Sequence, residues 1–183
     1  MPRQMEFAEG NLRLSAQSRI VLGPLTDRAD RFAAEDLAEQ INERAGLRLS
    51  ITQGEPRAGD IALERVQTFA AEPEGAYHAS VAEIARVTAS NAAGLFYGAQ
   101  TIAQLVGPDG RLPHVAISDE PAYPVRGLQY DVARGQTVPV EWWKRVIREL
   151  ARCKLNVLVV YGENDFAFDA FPFLGREGTF RPQ

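Results

Sequence analysis

The sequence predicts an α/β fold in two parts: a sheet with two helices, then a separate strand–helix–strand unit. Three observations carry this expectation. Short alternating apolar segments and two amphipathic helical stretches fill the first two thirds of the chain. A proline-bounded linker, Ser118-Asp119-Glu120-Pro121-Ala122-Tyr123-Pro124, follows them. Past the linker, Leu155-Asn156-Val157-Leu158-Val159-Val160-Tyr161 is the near-continuous aliphatic run typical of strands in parallel sheets.

The elements follow in order. Leu12, Leu14, Ile20, Val21 and Leu22, interrupted by polar Ser15 to Arg19, predict two short strands joined by a turn. After Gly23-Pro24, Thr26 or Asp27 is placed to cap a helix running to about Arg44, because a short oxygen-bearing side chain satisfies free N–H groups of the first turn. Phe32, Ala33, Leu37, Ile41 and Ala45 form its apolar stripe, and Gly46 its stop. Leu47, Leu49 and Ile51 alternate with polar residues as a half-buried strand, and Asp60 to Val66 is another. Tyr77 to Val81 and Ile84 to Ala89 form a hairpin across the short link Ala82-Glu83. Asn91 caps a second helix carrying Leu95, Phe96, Ile102, Leu105 and Val106. Its internal Gly94 and Gly98 each cost about 1 kcal/mol relative to alanine, which implies close approach of this helix to a neighbouring segment. Gly107-Pro108-Asp109-Gly110 is a tight turn, and Leu112 to Ile117 a further extended segment.

In the second part Leu128, Tyr130 and Val132 alternate as a strand. Pro139 stands where a first helical turn tolerates proline, and Trp143, Val146, Ile147, Leu150 and Cys153 share one helical face. With the aliphatic run from Leu155 this makes a β-α-β unit. A lone unit of this kind leaves two long edges unpaired, and an eight-stranded barrel needs roughly 250 residues. The expectation is a domain spanning 1–122 followed, over 123–183, by the truncated beginning of a larger TIM-like barrel.

Composition narrows the function. A net charge of −4 with scattered Lys and Arg gives no footprint for nucleic acid or an anionic membrane. No apolar run approaches the roughly 20 residues of a bilayer span. The N-terminus lacks a signal-like apolar core, and the single Cys153 excludes an internal disulfide. The expected location is cytoplasmic, or outside the cell if a signal has been removed.

Several residues invite chemistry. Arg126 is either a sugar-binding donor or an interdomain salt-bridge residue. Asp131 and Arg134, at the exit of the first barrel strand, read as an ion pair or loop anchor. Glu163 and Asp165, after the next strand, suggest a paired-carboxylate site but equally cap a turn. His78 and His114 stand alone, without ligand-spaced partners, so no metal site is expected. Cys153, on an apolar helix face, reads as a buried thiol rather than a nucleophile. Phe166, Phe168, Phe171 and Phe173 pack a terminal loop or line a sugar-stacking surface, and would form an exposed patch in a fragment. Gly94-Leu-Phe-Tyr-Gly98 lies inside a helix and lacks the strand–turn setting of a phosphate loop.

Two stretches carry a resemblance. Asn91-Ala-Ala-Gly94-Leu-Phe-Tyr97-Gly98-Ala-Gln100-Thr101-Ile-Ala-Gln104-Leu105 resembles the helix closing the small N-terminal domain of glycoside hydrolase family 20. Arg126-Gly127-Leu-Gln-Tyr-Asp131-Val-Ala-Arg134, followed by Lys154-Leu-Asn156-Val, resembles its first barrel strand and the lead into the second. The resemblance runs from about Asp60 to Phe168. The chain departs from the family at Val159-Val160-Tyr161, where a His-x-His-like pattern is frequent, and at Asn164-Asp165, where an Asp-Asp pair is usual. Gly135 stands where an aromatic or histidine is common. These departures point to a divergent subgroup.

The resemblance implies a β-N-acetylhexosaminidase-like glycosidase with no metal or organic cofactor, acting on a terminal N-acetylhexosamine of a carbohydrate substrate. It implies that Arg126 grips the hydroxyls of that sugar with its fork of N–H donors. It also implies substrate-assisted retaining cleavage, an exception to the two-carboxylate schemes. There the sugar's acetamido oxygen attacks the anomeric carbon while an adjacent Asp-Glu pair on a later strand orients it and protonates the leaving group. That pair is not reached in this chain, so no catalytic residue is assigned and the chain alone is expected to be inactive. The alternatives are a fragment of an α-glucuronidase-like or O-GlcNAcase-like glycosidase, or a non-catalytic carbohydrate-binding or interaction module.

Overall fold

A computed structural model of the chain describes residues 2–67, 72–133, 138–162, 168–171 and 173. They fall into two compact units, Met1–Pro124 and Val125–Gln183. Three helices and a majority of strand segments make a mixed α/β protein. Among the described residues no helix is long and apolar enough to cross a membrane.

The first unit is built on one seven-stranded mixed sheet. Its strands are β1 (Gln4–Arg13), β2 (Arg19–Leu22), β3 (Ser50–Gln53), β4 (Ile61–Arg65), β5 (Tyr77–Val81), β6 (Ala85–Ala89) and β7 (Arg111–Asp119). Their spatial order is β1-β7-β5-β6-β4-β2-β3. The run β3, β2, β4, β6 is parallel, whereas β5 lies antiparallel to β6 and β7, and β7 antiparallel to β1. The change of direction falls at the predicted β5–β6 hairpin, where Val81 pairs with Ala85.

Two helices close the core. In α1 (Arg28–Ala45), Asp27 caps the N-terminus by accepting the Ala29 and Asp30 N–H groups, and Asp30 returns the bond to the Asp27 N–H. That reciprocal box satisfies donors a helix start otherwise leaves orphaned. Gly46 ends the helix at φ 68°, a left-handed conformation that glycine adopts without a Cβ penalty. In α2 (Ala92–Leu105) the Asn91 side chain accepts the Gly94 N–H. A Cβ on Gly94 would lie 2.1 Å from the Ala76 carbonyl oxygen, and one on Gly98 would lie 2.2 Å from Cγ1 of Val87. Both glycines therefore let α2 sit directly on the sheet, the close approach that the sequence called for. Between α1 and α2, buried Gln100 donates to Asp36 and accepts from Gln40 at 3.0 Å, so its amide is satisfied away from water. Tyr77, buried under α2, shares a 2.7 Å hydrogen bond with Thr101. Burial raises the pKa of its hydroxyl far above the usual phenol range, a push that the Thr101 bond only partly offsets.

The second unit holds β8 (Gly127–Asp131), α3 (Val140–Arg152) and β9 (Val157–Tyr161), with β8 and β9 parallel in register. Tyr130 of β8 packs against Trp142 and Trp143 of α3, with ring centroids 4.8 and 5.2 Å away.

Some expectations are corrected. The first strand begins at Gln4, eight residues before Leu12, because β7 offers it a long antiparallel partner. The third strand begins at Ser50 rather than Leu47, since its only neighbour, β2, is four residues long. Phe32 is 60% exposed and stacks on Phe96 instead of entering the core; the buried stripe of α1 is Asp30, Ala33, Ala34, Leu37 and Ile41. Cys153 is exposed at the C-cap of α3, a helix none of whose residues is buried, so its thiol is not a core group. β9 is parallel as expected, yet Val159, Val160 and Tyr161 remain substantially exposed.

Candidate functional site

Arg126 immediately precedes β8 and bonds to the segment that leads into β9. Its backbone N–H donates to Oδ1 of Asn156 at 2.9 Å, and its carbonyl accepts the N–H groups of Asn156 at 2.8 Å and Val157 at 3.1 Å. Its Nε–H donates to the carbonyl of Lys154 at 2.9 Å. Arg126 is half-buried by this arrangement.

The Lys154 carbonyl is aimed by an unusual turn. The Lys154 N–H donates to the Ala151 carbonyl and the Leu155 N–H to the Leu150 carbonyl, each at 2.9 Å. This pair of bonds is the Schellman ending of a helix, and it requires the intervening residue to be left-handed. Lys154 takes that place at φ 58°, the one described non-glycine residue with positive φ. A side chain there costs about 1 kcal/mol relative to glycine.

Gly127 lies opposite Val157, and a Cβ on it would stand 2.7 Å from the Val157 carbonyl oxygen. The first rung of the strand pair is thus closed by a glycine, a turn carbonyl and an asparagine amide.

At the other end of β8, Oδ1 of Asp131 accepts the Ala133 N–H at 2.8 Å, an Asx turn that anchors the outgoing loop. The Val132 N–H extends the ladder to the Tyr161 carbonyl at 2.8 Å. Asp131 is five positions beyond Arg126 along extended chain, roughly 16 Å, so the two sit at opposite ends of the strand. Arg134, Glu163, Asp165 and Phe166 lie outside the described residues. Phe168 and Phe171 form an isolated antiparallel bridge, and Phe171 meets Phe173 edge to face at 6.1 Å; all three are exposed.

Both histidines belong to the sheet of the first unit. His78 Nε2 meets Oε1 of Glu72 at 2.8 Å beside a shallow hollow that Arg3, Asp119 and Glu120 also line. His114 Nδ1 meets the Glu9 carbonyl at 3.0 Å. Among the described residues no group of three or more His, Cys, Asp or Glu is placed to hold a metal ion.

The sequence motif contains Arg126, Lys154 and Asn156 but does not join them. Asn156 carried a signal, a polar residue interrupting an aliphatic run, while nothing in the identity of Lys154 announces a left-handed turn.

Comparison with known proteins bears on what this arrangement serves. Residues 1–120 match the family described as glycosyl hydrolase family 20, domain 2. A β-hexosaminidase of Vibrio furnissii is 33% identical over 162 residues, covering 85% of this chain and 24% of that protein. Among solved structures, the GH20 β-N-acetylhexosaminidase of Streptomyces coelicolor A3(2) superposes with a TM-score of 0.80 at 27% identity, over 95% of this chain and 37% of its own. A mutant Streptomyces plicatus β-hexosaminidase in complex with its product GlcNAc gives 0.83 at 26% identity, over 95% and 36%. The chain spans about a quarter of the length of the curated relative and over a third of each solved chain.

Proposed function

The chain belongs to glycosyl hydrolase family 20, and on that premise we propose that it forms part of a β-N-acetylhexosaminidase-like glycosidase acting on terminal N-acetylhexosamine residues. Residues 1–122 are then an accessory domain, and 123–183 open a (β/α)8 catalytic barrel. The observation that carries the barrel reading is the in-register parallel pairing of β8 and β9 across α3, the repeating unit of such a barrel. A product complex with GlcNAc in a structural relative supports the sugar class. Cleavage is substrate-assisted, with the Asp-Glu pair supplied from a later strand, so the 183-residue chain does not turn over substrate by itself.

The resemblance gives Arg126 the sugar hydroxyls. Its position favours a second reading. Barrel enzymes place their chemistry at the C-terminal ends of the strands, whereas residues at the N-terminal ends serve stability. Arg126 stands at the N-terminal end of β8, with Nε committed to the Lys154 carbonyl. The sugar-facing groups are accordingly those that follow the exit of β8, from Asp131 to Arg134, an arginine three residues beyond it being the candidate fork for two neighbouring hydroxyls.

Two measurements test this. The purified chain should show no release of nitrophenol from a nitrophenyl N-acetyl-β-glucosaminide; turnover abolished by Arg126→Ala would overturn the reading. Titration of N-acetylglucosamine into the isotope-labelled chain should shift amide resonances of Asp131 and Val132. Shifts confined to Arg126 and Asn156 would return the sugar to Arg126.

A further inference from the structure

We propose that Arg126, Lys154 and Asn156 form a register lock that sets how β9 lies against β8. The lock is read from the strand pair alone; its consequence for a site at the exit ends rests on the barrel reading above.

Something other than hydrophobicity must choose this register. β9 presents Val157, Val159 and Tyr161 on one face and Leu158 and Val160 on the other. A slip of one residue exchanges the two sets, but here apolar groups replace apolar groups. The usual penalty for a wrong register is therefore small. The aliphatic run that makes β9 a good barrel strand also makes it a poorly indexed one.

The bonds at the leading end supply the index. The Asn156 side chain and backbone both bond to the backbone of Arg126, which places residue 156 beside residue 126 and Val157 opposite Gly127. The Schellman turn fixes Lys154 relative to α3, and the Arg126 Nε–H takes the carbonyl that this turn presents. The starting point of β9 is thereby tied to the end of α3 and the start of β8 together. Gly127 allows the tight approach to Val157 that these bonds impose. The outcome at the far end is that Asp131 and Tyr161 stand side by side. Arg126 is on this account a positioning residue that acts through the strand pair.

The test reads register directly, by pairwise cross-linking in a Cys153→Ser background. Gln129→Cys is combined either with Val159→Cys, its partner in the observed register, or with Val160→Cys, its partner after a one-residue slip. Under a mild oxidant the first pair should cross-link about tenfold more readily than the second, because disulfides demand short Cβ separations. Arg126→Ala with Asn156→Leu should reduce that preference to about twofold or less. Asn156→Asp retains an acceptor oxygen for the Arg126 N–H and should keep the full preference. Arg126→Lys retains charge but not the Nε–H geometry, and should fall between. An unchanged preference in the double variant overturns the lock. Simultaneous loss of both cross-links also counts against it, since the bonds would then hold the fold rather than its register. No sugar enters this measurement, so it can fail while the glycosidase reading stands, and the sugar titration can fail while the lock stands.

Discussion

Arg19 holds Asp60 by three bonds: Nη2 and Nε lie 2.6 and 3.1 Å from Oδ2, and the Arg19 backbone N–H donates to Oδ1 at 2.9 Å. The Arg57 N–H adds a further bond to Oδ2 at 3.0 Å, and the Asp60 side chain is almost completely buried. The arrangement ties the first residue of β2 to the turn before β4, two strands that are neighbours in the sheet. Burial pushes the Asp60 carboxyl up, but the bonds from the Arg19 side chain and from the Arg57 and Arg19 backbones outweigh it. The net effect holds its pKa below the usual carboxylate value.

Acid should release this fastening. Because the folded-state pKa is depressed, the contribution is complete above the unfolded aspartate value of about 3.9 and is lost as pH falls through the lower folded value. Asp60→Asn should destabilise the first unit by about 3 kcal/mol at pH 7. The gap from the unsubstituted chain should narrow markedly by about pH 3. Urea unfolding at the two pH values measures it, and an equal gap at both would refute the assignment.

Gly94→Ala places a methyl group 2.1 Å from a backbone oxygen, which no rotamer change relieves. The roughly 1 kcal/mol gained in helix propensity is smaller than the cost of pushing α2 off the sheet, giving a net loss of about 2 kcal/mol. Gly98→Ala should be milder, since Cγ1 of Val87 belongs to a side chain. Thermal unfolding of both variants gives the order, and a stabilised Gly94→Ala protein would show that helix and sheet are not in contact there.

Asn91 serves two segments. Its Oδ1 accepts the Gly94 N–H at 2.9 Å and the Gly75 N–H at 3.3 Å, joining the helix start to the loop before β5. Asn91→Ala should cost about 1–2 kcal/mol, whereas Asn91→Ser, still an N-cap, should recover roughly half or more. Hydrogen exchange at the Gly75 and Gly94 amides should quicken in the alanine variant, and unchanged exchange at both would dismiss the shared cap.

Lys154→Gly removes a Cβ from a left-handed residue whose backbone N–H and carbonyl take part in the turn. The second unit should gain about 0.5–1 kcal/mol, with the Arg126 Nε–H still bonded to the same carbonyl. A drop in stability would mean that the lysine side chain, and not the turn, is what matters.

The parts legible in the sequence are those governed by neighbours in the chain. Asp27 and Gly46 bound α1 because cap chemistry is local, and Gly94 and Gly98 announced a close approach because no other residue explains their cost. Asp30 was not legible as a core residue, since its burial depends on Arg65, which donates to it at 2.9 Å from β4. With Asp30 inside, the buried face of α1 turns toward Ala34 and leaves Phe32 at the surface, where a stripe drawn from apolar residues alone had placed it inside. The strand order was equally out of reach, because the pairing of β1 with β7 joins segments about a hundred residues apart. Of the candidate site, Arg126 and Asn156 could be named from the motif. Their mutual bonds could not, as these depend on the left-handed turn at Lys154.

The partnership of β1 and β7 also has a consequence in time. Gln4 pairs with Ser118, so β1 must await nearly the whole of the first unit before it meets its neighbour. At about 5–20 residues per second that interval is roughly 6–23 s on the ribosome. During it β2, β3, β4 and β6, whose partners all lie within the intervening stretch, are free to assemble around α1 and α2. The nascent chain should therefore build its sheet from the β3 edge toward the opposite one, with β1 arriving last.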